Sequence, residues 1–379
     1  MIVSRIILKN WRNFQSVDVP LQDRVFFIGP SACGKSHFLD VFRFLRDLAI
    51  DGGGLQKAIQ DRGGLSNIRC LSAPRSANVE IEVHLAKSAL QEPDWKYAIG
   101  ITQETRGNHQ PCLAYERVWK GNKKLIERPD SDDQKDKLRL TQTYLQQINA
   151  NLEFREIAKF FEAVLYLHLV PQLVRHSEAF SGPSISGDPF GKCFLERITK
   201  TPEKTRQSRL KKIEAGLRIA VPQLKQLTYL KDETGTPHLQ VIYEHWKPGS
   251  SLREEQFSDG TLRFMGLLWA LLESHSLLLL EEPELSLNVE IVKELAPLIY
   301  RFQKQRQVML STHSWDLLSD KGIAGEEVLL LTPSFNGTQV ELVSSIPEVQ
   351  PLLKAGLSIA DAALSRTKSP QIGQMSFLN

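Results

Sequence analysis

The chain has 379 residues, 41% of them hydrophobic and 24% charged, which allows one large core or about two domains. Its 4 cysteines are widely and irregularly spaced, which excludes a zinc pattern and a disulfide framework, and a net charge of +3 is too small to indicate nucleic-acid binding by itself. No apolar run reaches about 18 residues and the N-terminus lacks the order of a signal peptide, so we expect no membrane contact and a cytoplasmic location.

The N-terminal segment is predicted to form a hairpin. Residues 2–8 are mostly apolar, and a second apolar pattern continues towards Arg24. Arg12 and Asn13 lie at the turn between these two strands. They either face a nucleotide or are only solvated, because exposed arginine is common on protein surfaces.

The most informative stretch is a glycine-framed loop that follows the apolar run 25–28. The loop consists of Gly29, Pro30, Ser31, Ala32, Cys33, Gly34, Lys35 and Ser36, which fit the P-loop pattern at every fixed position. A helical pattern follows from Phe38 to Leu48, so strand, loop and helix come in the required order. Backbone amides in such a loop point at a phosphate, Lys35 would reach the β- and γ-phosphates, and the Ser36 hydroxyl would bind Mg²⁺.

The next part of the chain is predicted to be an antiparallel meander. Alternating segments separated by polar turns favour strands at 79–85, 95–101, 112–119 and 124–127. The charged stretch 129–137 is predicted to be a solvated loop, and residues 151–169 have a helical pattern.

Two segments after this helical pattern stand out by composition. Residues 172–192 are rich in Ser, Gly and Pro, which predicts a mobile loop. The following segment is basic, with Lys200, Lys204, Arg206, Arg209, Lys211, Lys212, Arg218 and Lys225. A basic helical face either follows a phosphate backbone or is only solvated, and both interpretations stay open.

A second candidate anion site precedes the apolar helical run 262–272. The segment is Phe257-Ser258-Asp259-Gly260-Thr261, in which Ser258 or Asp259 is a suitable N-cap and Gly260 keeps the backbone open. The start of a helix presents free N–H groups that can receive an anion, although a plain capped helix is the alternative.

Two further buried strands end in polar side chains. The strand 277–280 is followed by Glu281 and Glu282, and the strand 308–310 leads to His313. In a doubly wound sheet the carboxyl ends of strands converge, so these side chains would meet the P-loop. Glu281 would hold Mg²⁺, Glu282 would polarise the attacking water, and His313 would contact the γ-phosphate. The alternatives are an exposed acidic strand end and a structural histidine.

The chain is predicted to close with a hairpin and a helix. Residues 328–331 and 339–342 flank Asn336-Gly337, a favoured hairpin turn. Apolar residues between Leu352 and Leu364 indicate a last helix, and the tail from Thr367 is predicted to be mobile.

This order of motifs resembles the ABC-type ATPases of the SMC/RecF-like group, and more narrowly the stand-alone bacterial AAA-family ATPases related to the overcoming-lysogenization-defect (OLD) ATPases. The resemblance covers roughly residues 1–100 and 230–345. It is carried by the Walker A loop 29–36, the signature-like segment 257–261, the Walker B pair Glu281-Glu282, the D-loop-like segment 283–288 and the switch-histidine segment 311–314.

The resemblance implies an α/β P-loop NTPase of ABC-ATPase type, with a mixed central sheet, an antiparallel β subdomain and a helical insertion. The expected parts are an N-terminal ATPase lobe at 1–140, a helical insertion at 141–235, a C-terminal ATPase lobe at 236–345, and a helix and tail at 346–379. It also implies ATP and Mg²⁺ as ligands, Glu282 as catalytic base, and His313 as sensor of the γ-phosphate. Hydrolysis is expected to be slow, because Glu281 stands where Asp is common, and Gln60 is the candidate for the Q-loop glutamine.

In this group the signature segment faces the nucleotide of a second subunit, so Ser258 and Gly260 would complete the site across a homodimer. The resemblance suggests a partner effector, such as a Toprim-like nuclease in phage defence. Two alternatives stay open: a RecF-like DNA-repair ATPase that binds DNA or RNA directly, and a nucleotide-gated interaction module without turnover.

Overall fold

The computed structural model describes residues 1–74, 76–104, 109–177, 187–244, 247, 250–303 and 306–367. The strands are β1 (Ile2–Trp11), β2 (Phe14–Pro20), β3 (Arg24–Ile28), β4 (Val79–Ala86), β5 (Trp95–Gln103), β6 (Pro111–Lys120), β7 (Lys123–Arg128), β8 (Val164–Leu167), β9 (Leu224–Lys231), β10 (Pro237–Tyr243), β11 (Leu252–Arg253), β12 (Leu277–Glu281), β13 (Gln307–Ser311), β14 (Val328–Ser334) and β15 (Gly337–Leu342). The helices are α1 (Lys35–Ala49), α2 (Leu55–Gln60), α3 (Leu65–Ile68), α4 (Ser131–Lys135), α5 (Arg155–Glu162), α6 (Pro171–Arg175), α7 (Phe194–Lys200), α8 (Glu203–Ala220), α9 (Asp259–Leu272), α10 (Val289–Gln303), α11 (Trp315–Leu318), α12 (Gln350–Lys354) and α13 (Ile359–Ala363).

A central sheet organises the molecule. Its strand order is β15-β14-β3-β13-β12-β8, and all neighbours pair in parallel except the hairpin β14-β15. Strands covered on both faces need apolar side chains on both faces, which is why β3 and β12 are continuous apolar runs in the sequence.

The two faces of this sheet contribute to two separate cores. Alternate residues of a strand point to opposite faces, so Phe27 and Leu279 pack with α1 and the second sheet, whereas Phe26 and Leu280 pack with α9 and α10. The second sheet is antiparallel, with the order β2-β1-β4-β5-β6-β7, and the third consists of β11-β10-β9. The predicted fold class, a mixed central sheet with an antiparallel β subdomain, is confirmed.

Most predicted elements are confirmed, but the helical pattern over 151–169 is wrong in its second half. Helix α5 ends at Glu162, and residues Val164–Leu167 form β8, which pairs in parallel with β12. A short apolar run of this kind fits a buried strand as well as a helix, and only the pairing with β12 decides between them.

The prediction of a solvated loop at 129–137 is wrong in part: most of its residues are exposed, but the segment contains a short helix and one buried acid. Residues Ser131–Lys135 form α4, and Asp133 is buried in an ion pair with Arg128, 2.8 Å from Oδ1 to Nη2. Arg128 also pairs with the buried Glu116 of β6 at 3.1 Å. Local composition showed a charged segment, and its other charged residues are largely exposed, but Asp133 is neutralised inside the fold.

Parts of two other predictions lie outside the described residues, namely 178–186 of the predicted mobile loop and 368–379 of the predicted tail. The division into the four parts 1–140, 141–235, 236–345 and 346–379 stays a prediction, and β8 of the central sheet lies inside the part expected to be a helical insertion. Among the described residues, we find no helix whose length and apolar character would let it cross a membrane.

Candidate active site

The carboxyl ends of β3, β13 and β12 lie side by side and carry the predicted site residues. Glu281 at the end of β12 is in register with Ser311 of β13, and Ser311 is in register with Phe27 of β3. The segments that follow these strand ends are the P-loop, the Glu281-Glu282 pair and His313. The parallel topology therefore brings together residues that are up to 284 positions apart, from Gly29 to His313.

The P-loop has a conformation that only its glycines permit. Gly29 and Gly34 have φ angles of +153° and +101°, and a Cβ at Gly29 would lie 2.4 Å from the carbonyl oxygen of Leu331. Lys35 is buried, and its Nζ donates hydrogen bonds to the carbonyl oxygens of Gly29 (3.0 Å) and Pro30 (3.1 Å). Burial lowers the pKa of the Lys35 ammonium. The positive charge of Lys35 is thus held inside the loop, where it can pair with a bound phosphate.

Oxygen donors for a divalent cation converge next to the P-loop. The Ser36 hydroxyl donates to Oε1 of Glu281, and the Tyr166 hydroxyl of β8 donates to Oε2 of the same carboxylate. Burial raises the pKa of Glu281, and the neighbouring Glu282 adds to this effect. A hydroxyl and a carboxylate in direct contact form the kind of oxygen donor set that Mg²⁺ prefers, so Ser36 and Glu281 fit such an ion.

Glu282 and His313 face each other across the site. Nε2 of His313 lies 3.6 Å from Oε1 of Glu282, and both side chains are partly exposed. Glu282 has a φ angle of 43°, and its amide donates to the carbonyl oxygen of Ser311 at 3.1 Å, which ties the two strand ends together. Burial and the nearby Lys35 lower the pKa of His313, so the imidazole is neutral at neutral pH.

The signature-like segment 257–261 forms the start of α9. Ser258 is exposed and caps α9 by accepting a hydrogen bond from the Thr261 amide at 3.2 Å, as predicted for an N-cap. A Cβ at Gly260 would lie 2.3 Å from the carbonyl oxygen of Ser286. Among the described residues, Ser258 and Gly260 form no hydrogen bond with the P-loop of the same chain.

Comparison with known sequences identifies the family of this chain. The family model described as "AAA domain, putative AbiEii toxin, Type IV TA system" matches residues 24–320, which is more than half of the chain. The chain belongs to this AAA-domain family. No curated protein is significantly similar to it in sequence.

Solved structures of SMC heads share the fold. The SMC head bound to the C-winged helix domain of ScpA matches with a TM-score of 0.55 and 12% identity, over 90% of this chain and 98% of that chain. The SMC head domain from Thermotoga maritima (TM-score 0.47, 11% identity, 90% and 99% covered) is also similar. So is the Smc head domain bound to the C-terminal domain of ScpA from Pyrococcus furiosus (TM-score 0.49, 11% identity, 90% and 96% covered). The family match and the first of these structures confirm the resemblance to SMC/RecF-like ABC-type ATPases.

A cleft lies beside the P-loop of this AAA-domain protein. It has a volume of about 630 Å³, within the range of small-molecule sites, and its walls include Arg12, Asn13 and His37. Asn13 donates to the carbonyl oxygen of Ala32 in the P-loop at 3.2 Å, and Arg12 pairs with Asp40 at 2.9 Å. The turn between β1 and β2 therefore faces the cleft. The charge of Arg12 at this turn is neutralised by Asp40.

Sequence reasoning missed two residues on β8 and its end. Tyr166 contacts Glu281, and Nδ1 of His168 lies 3.3 Å from the carbonyl oxygen of Glu281. Both belong to the segment interpreted as helical, so no local signal placed them beside the Walker B strand. Gln60, the candidate Q-loop residue, is exposed at the end of α2, whereas His168 lies next to Glu281.

Proposed function

We propose that this chain binds Mg²⁺ and ATP at the P-loop and hydrolyses ATP slowly. The observation that carries the proposal is the convergence of Lys35, the Ser36–Glu281 contact and the Glu282–His313 pair at one edge of the central sheet. Each of these groups has a use in phosphoryl transfer, and the topology brings them together without any further assumption.

The proposed roles follow from the geometry. The backbone N–H groups of the loop 29–36, except at Pro30, and the Lys35 ammonium bind and orient the β- and γ-phosphates, while Ser36 and Glu281 would hold Mg²⁺. The bound ion neutralises phosphate charge. Glu282 accepts a proton from the attacking water, for which a carboxylate that is partly exposed and uncommitted to a strong ion pair is suited. The neutral imidazole of His313 contacts the γ-phosphate from the β13 side.

We further propose that two copies close around two ATP molecules. The exposed start of α9, with Ser258 as its N-cap, presents backbone N–H groups that can receive an anion, and among the described residues Ser258 is not hydrogen-bonded to the P-loop of its own chain. A second copy would bring that surface over its partner's P-loop, so Ser258 and Gly260 of one protomer would complete the site of the other. ATP then adds contacts only in the closed state, and its binding shifts the equilibrium towards closure.

The ATP cycle would control an effector protein, such as a Toprim-like nuclease acting in phage defence. The support is indirect: the family description refers to a toxin of a toxin–antitoxin system. The chain itself has no nuclease motif that we recognise. Co-purification with the products of neighbouring genes, analysed by mass spectrometry, tests for such an effector.

A second candidate function is direct nucleic-acid binding. It is favoured by four exposed lysines of the predicted basic segment, three on α8 and one on β9: Lys204, Lys211, Lys212 and Lys225. If they contact a phosphate backbone, binding of duplex DNA weakens steeply with salt and is lost when the four are changed to Ser. A variant in which four other exposed lysines are changed to Ser is the matched control: Lys87, Lys137, Lys321 and Lys354.

The decisive test of hydrolysis compares the wild type with Glu282→Gln, which retains the shape but not the basicity of the side chain. We expect ATP turnover to fall by about 100-fold or more while binding of a fluorescent ATP analogue stays unchanged. Lys35→Ala is expected to lose binding as well. Equal turnover of the wild type and Glu282→Gln would contradict the proposal. It would favour the alternative function, a nucleotide-gated interaction module that binds ATP without turnover.

A further inference from the structure

The loop after β12 carries a third glutamate that binds the switch-histidine segment. Oε1 of Glu284 accepts a hydrogen bond from the Thr312 hydroxyl at 2.6 Å and another from the His313 amide at 3.2 Å. Both donors follow β13, whereas Glu284 follows β12. One carboxylate oxygen therefore fixes the backbone on which the imidazole of His313 is mounted.

The contact extends further along the switch segment. The Thr312 hydroxyl, while donating to Glu284, accepts a hydrogen bond from the Ser314 amide at 3.0 Å. The Ser314 hydroxyl in turn caps α11 by accepting from the Leu317 amide at 3.2 Å. The backbone from Thr312 to the start of α11 thus depends on a chain of hydrogen bonds that begins at Glu284.

The second oxygen of Glu284 has an unusual environment. Among the described residues, Oε2 is buried without a hydrogen-bond partner. Burial raises the pKa of this carboxyl group, even though the bonds from Thr312 and His313 act in the opposite direction. Burying a carboxyl oxygen without a partner costs stability, and such costs are typical of functional sites.

We infer that Glu284 is a positioning residue, which sets the imidazole of His313 opposite Glu282 by holding the Thr312-His313 backbone. This inference rests on the proposed ATPase function for its effect on turnover. Its structural part, the anchoring of the His313 amide, stands independently of any turnover.

The kinetic test uses a double-mutant cycle of Glu284→Ala and His313→Ala. If Glu284 acts through His313, we expect Glu284→Ala to lower kcat by about tenfold with KM changed less than about twofold, and to have no further effect when His313 is already Ala. Glu284→Gln is expected to restore kcat, because its amide oxygen accepts the same two hydrogen bonds. Independent, additive losses, or no rescue by Gln, would overturn the inference.

A readout without nucleotide separates this inference from the proposed function. Amide hydrogen exchange of His313 in the full-length protein, followed by NMR, should accelerate by about tenfold or more in Glu284→Ala and stay at the wild-type rate in Glu284→Gln. Glu290→Ala, which removes an exposed glutamate of α10, is the control and should not change it. Unchanged exchange in Glu284→Ala overturns the inference even if ATP turnover is normal, whereas a wild type without turnover overturns only the ATPase proposal.

Discussion

The two adjacent glutamates at the end of β12 have different surroundings although they are the same residue type. Both oxygens of Glu281 are engaged, one by Ser36 and the other by Tyr166. Glu282 instead lies 3.6 Å from the ring of His313 and is partly exposed to solvent. A fixed carboxylate suits a metal ligand and a freer one suits a base, so position in the fold assigns the two proposed roles.

The length of the Glu281 side chain gives a residue-scale prediction. Glu281→Asp retains the charge but withdraws the carboxylate by about one carbon–carbon bond from Ser36 and Tyr166. We expect the Mg²⁺ concentration that half-saturates binding of a fluorescent ATP analogue to rise by about tenfold. The reason is that the shorter carboxylate no longer reaches an ion bound beside Ser36. The measurement is a Mg²⁺ titration at fixed nucleotide concentration.

Tyr166→Phe is the companion variant for this titration. It leaves Glu281 at full length and removes only the hydroxyl that holds Oε2. We expect a smaller shift in the same direction, since the carboxylate is then less firmly oriented. An unchanged Mg²⁺ dependence in Glu281→Asp would contradict the assignment of Glu281 as a metal ligand.

Residue types at strand ends were sufficient to predict much of the candidate site. The P-loop, Glu281, Glu282 and His313 each follow an apolar strand, so a local pattern points to them, and the parallel sheet brings them together. Tyr166 and Glu284 could not be predicted to contact Glu281 and His313, because those contacts depend on which strands become neighbours.

At the scale of elements, the turn before α9 is held by a buried histidine. His238 of β10 lies between Glu254, 2.8 Å from Nδ1, and Asp232, 3.4 Å from Nε2. Burial opposes a charge on the ring, but the bonds and attraction of Glu254 and Asp232 outweigh it and raise the pKa of His238. The imidazole therefore ties the β9-β10 hairpin to the segment that leads to Ser258.

This arrangement predicts a pH-dependent stability. A raised pKa in the folded state means that the contribution of His238 is fully present below its unfolded pKa of about 6.5 and is lost as pH rises through the folded pKa. We expect His238→Gln to lower the free energy of unfolding more at pH 5.5 than at pH 9, measured by urea unfolding. The exposed His176→Gln serves as control, and an equal loss at both pH values would contradict the ion-pair account.

The antiparallel sheet contains a second buried ionic cluster with a large expected effect. The side chain of Arg128 is fully buried with Glu116 and Asp133, and although burial acts in the opposite direction, the hydrogen bond from Arg128 lowers the pKa of Asp133 to about 2. Arg128→Met leaves the buried Glu116 without a basic partner and Asp133 with only Arg139 at 3.2 Å, so we expect a loss of about 3–5 kcal/mol in the free energy of unfolding.

Chemical unfolding of Arg128→Met and of Lys135→Ala makes the comparison direct. Lys135 pairs with Asp132 at 3.0 Å on the surface, where both side chains are mostly exposed. Its removal should cost less than about 1 kcal/mol. Similar losses in the two variants would show that the buried cluster contributes no more than an exposed pair.

The elements themselves were predictable wherever the chain signals them locally. The β1-β2 hairpin, the meander β4 to β7 and the hairpin β14-β15 all alternate or carry turn residues, and each was found. Strand β8 and the buried side of α4 were missed, because the first requires pairing with β12 and the second requires Arg128 as an interior partner.

At the scale of the whole molecule, the proposed closure of two copies makes each candidate site depend on a second chain. The central sheet supplies the P-loop, Glu281, Glu282 and His313 at one edge, whereas the Ser258 side chain is exposed and, among the described residues, forms hydrogen bonds only with Thr261 of its own helix. Two copies related by a twofold axis would exchange these surfaces, and each would complete the other. The central claim of the account is therefore that the active site is shared.

Complementation between two inactive variants tests this claim most directly. Lys35→Ala removes the phosphate-binding charge but keeps Ser258, whereas Ser258→Glu places a negative charge at the start of α9 and keeps the P-loop. Each variant alone should be inactive but folded, and a small decrease in the unfolding temperature is expected for Ser258→Glu because α9 loses its N-cap. In an equal mixture about half of the dimers are mixed and each has one intact site, so the account predicts that ATP turnover recovers to about a quarter of the wild-type rate. A mixture as inactive as its components would contradict it.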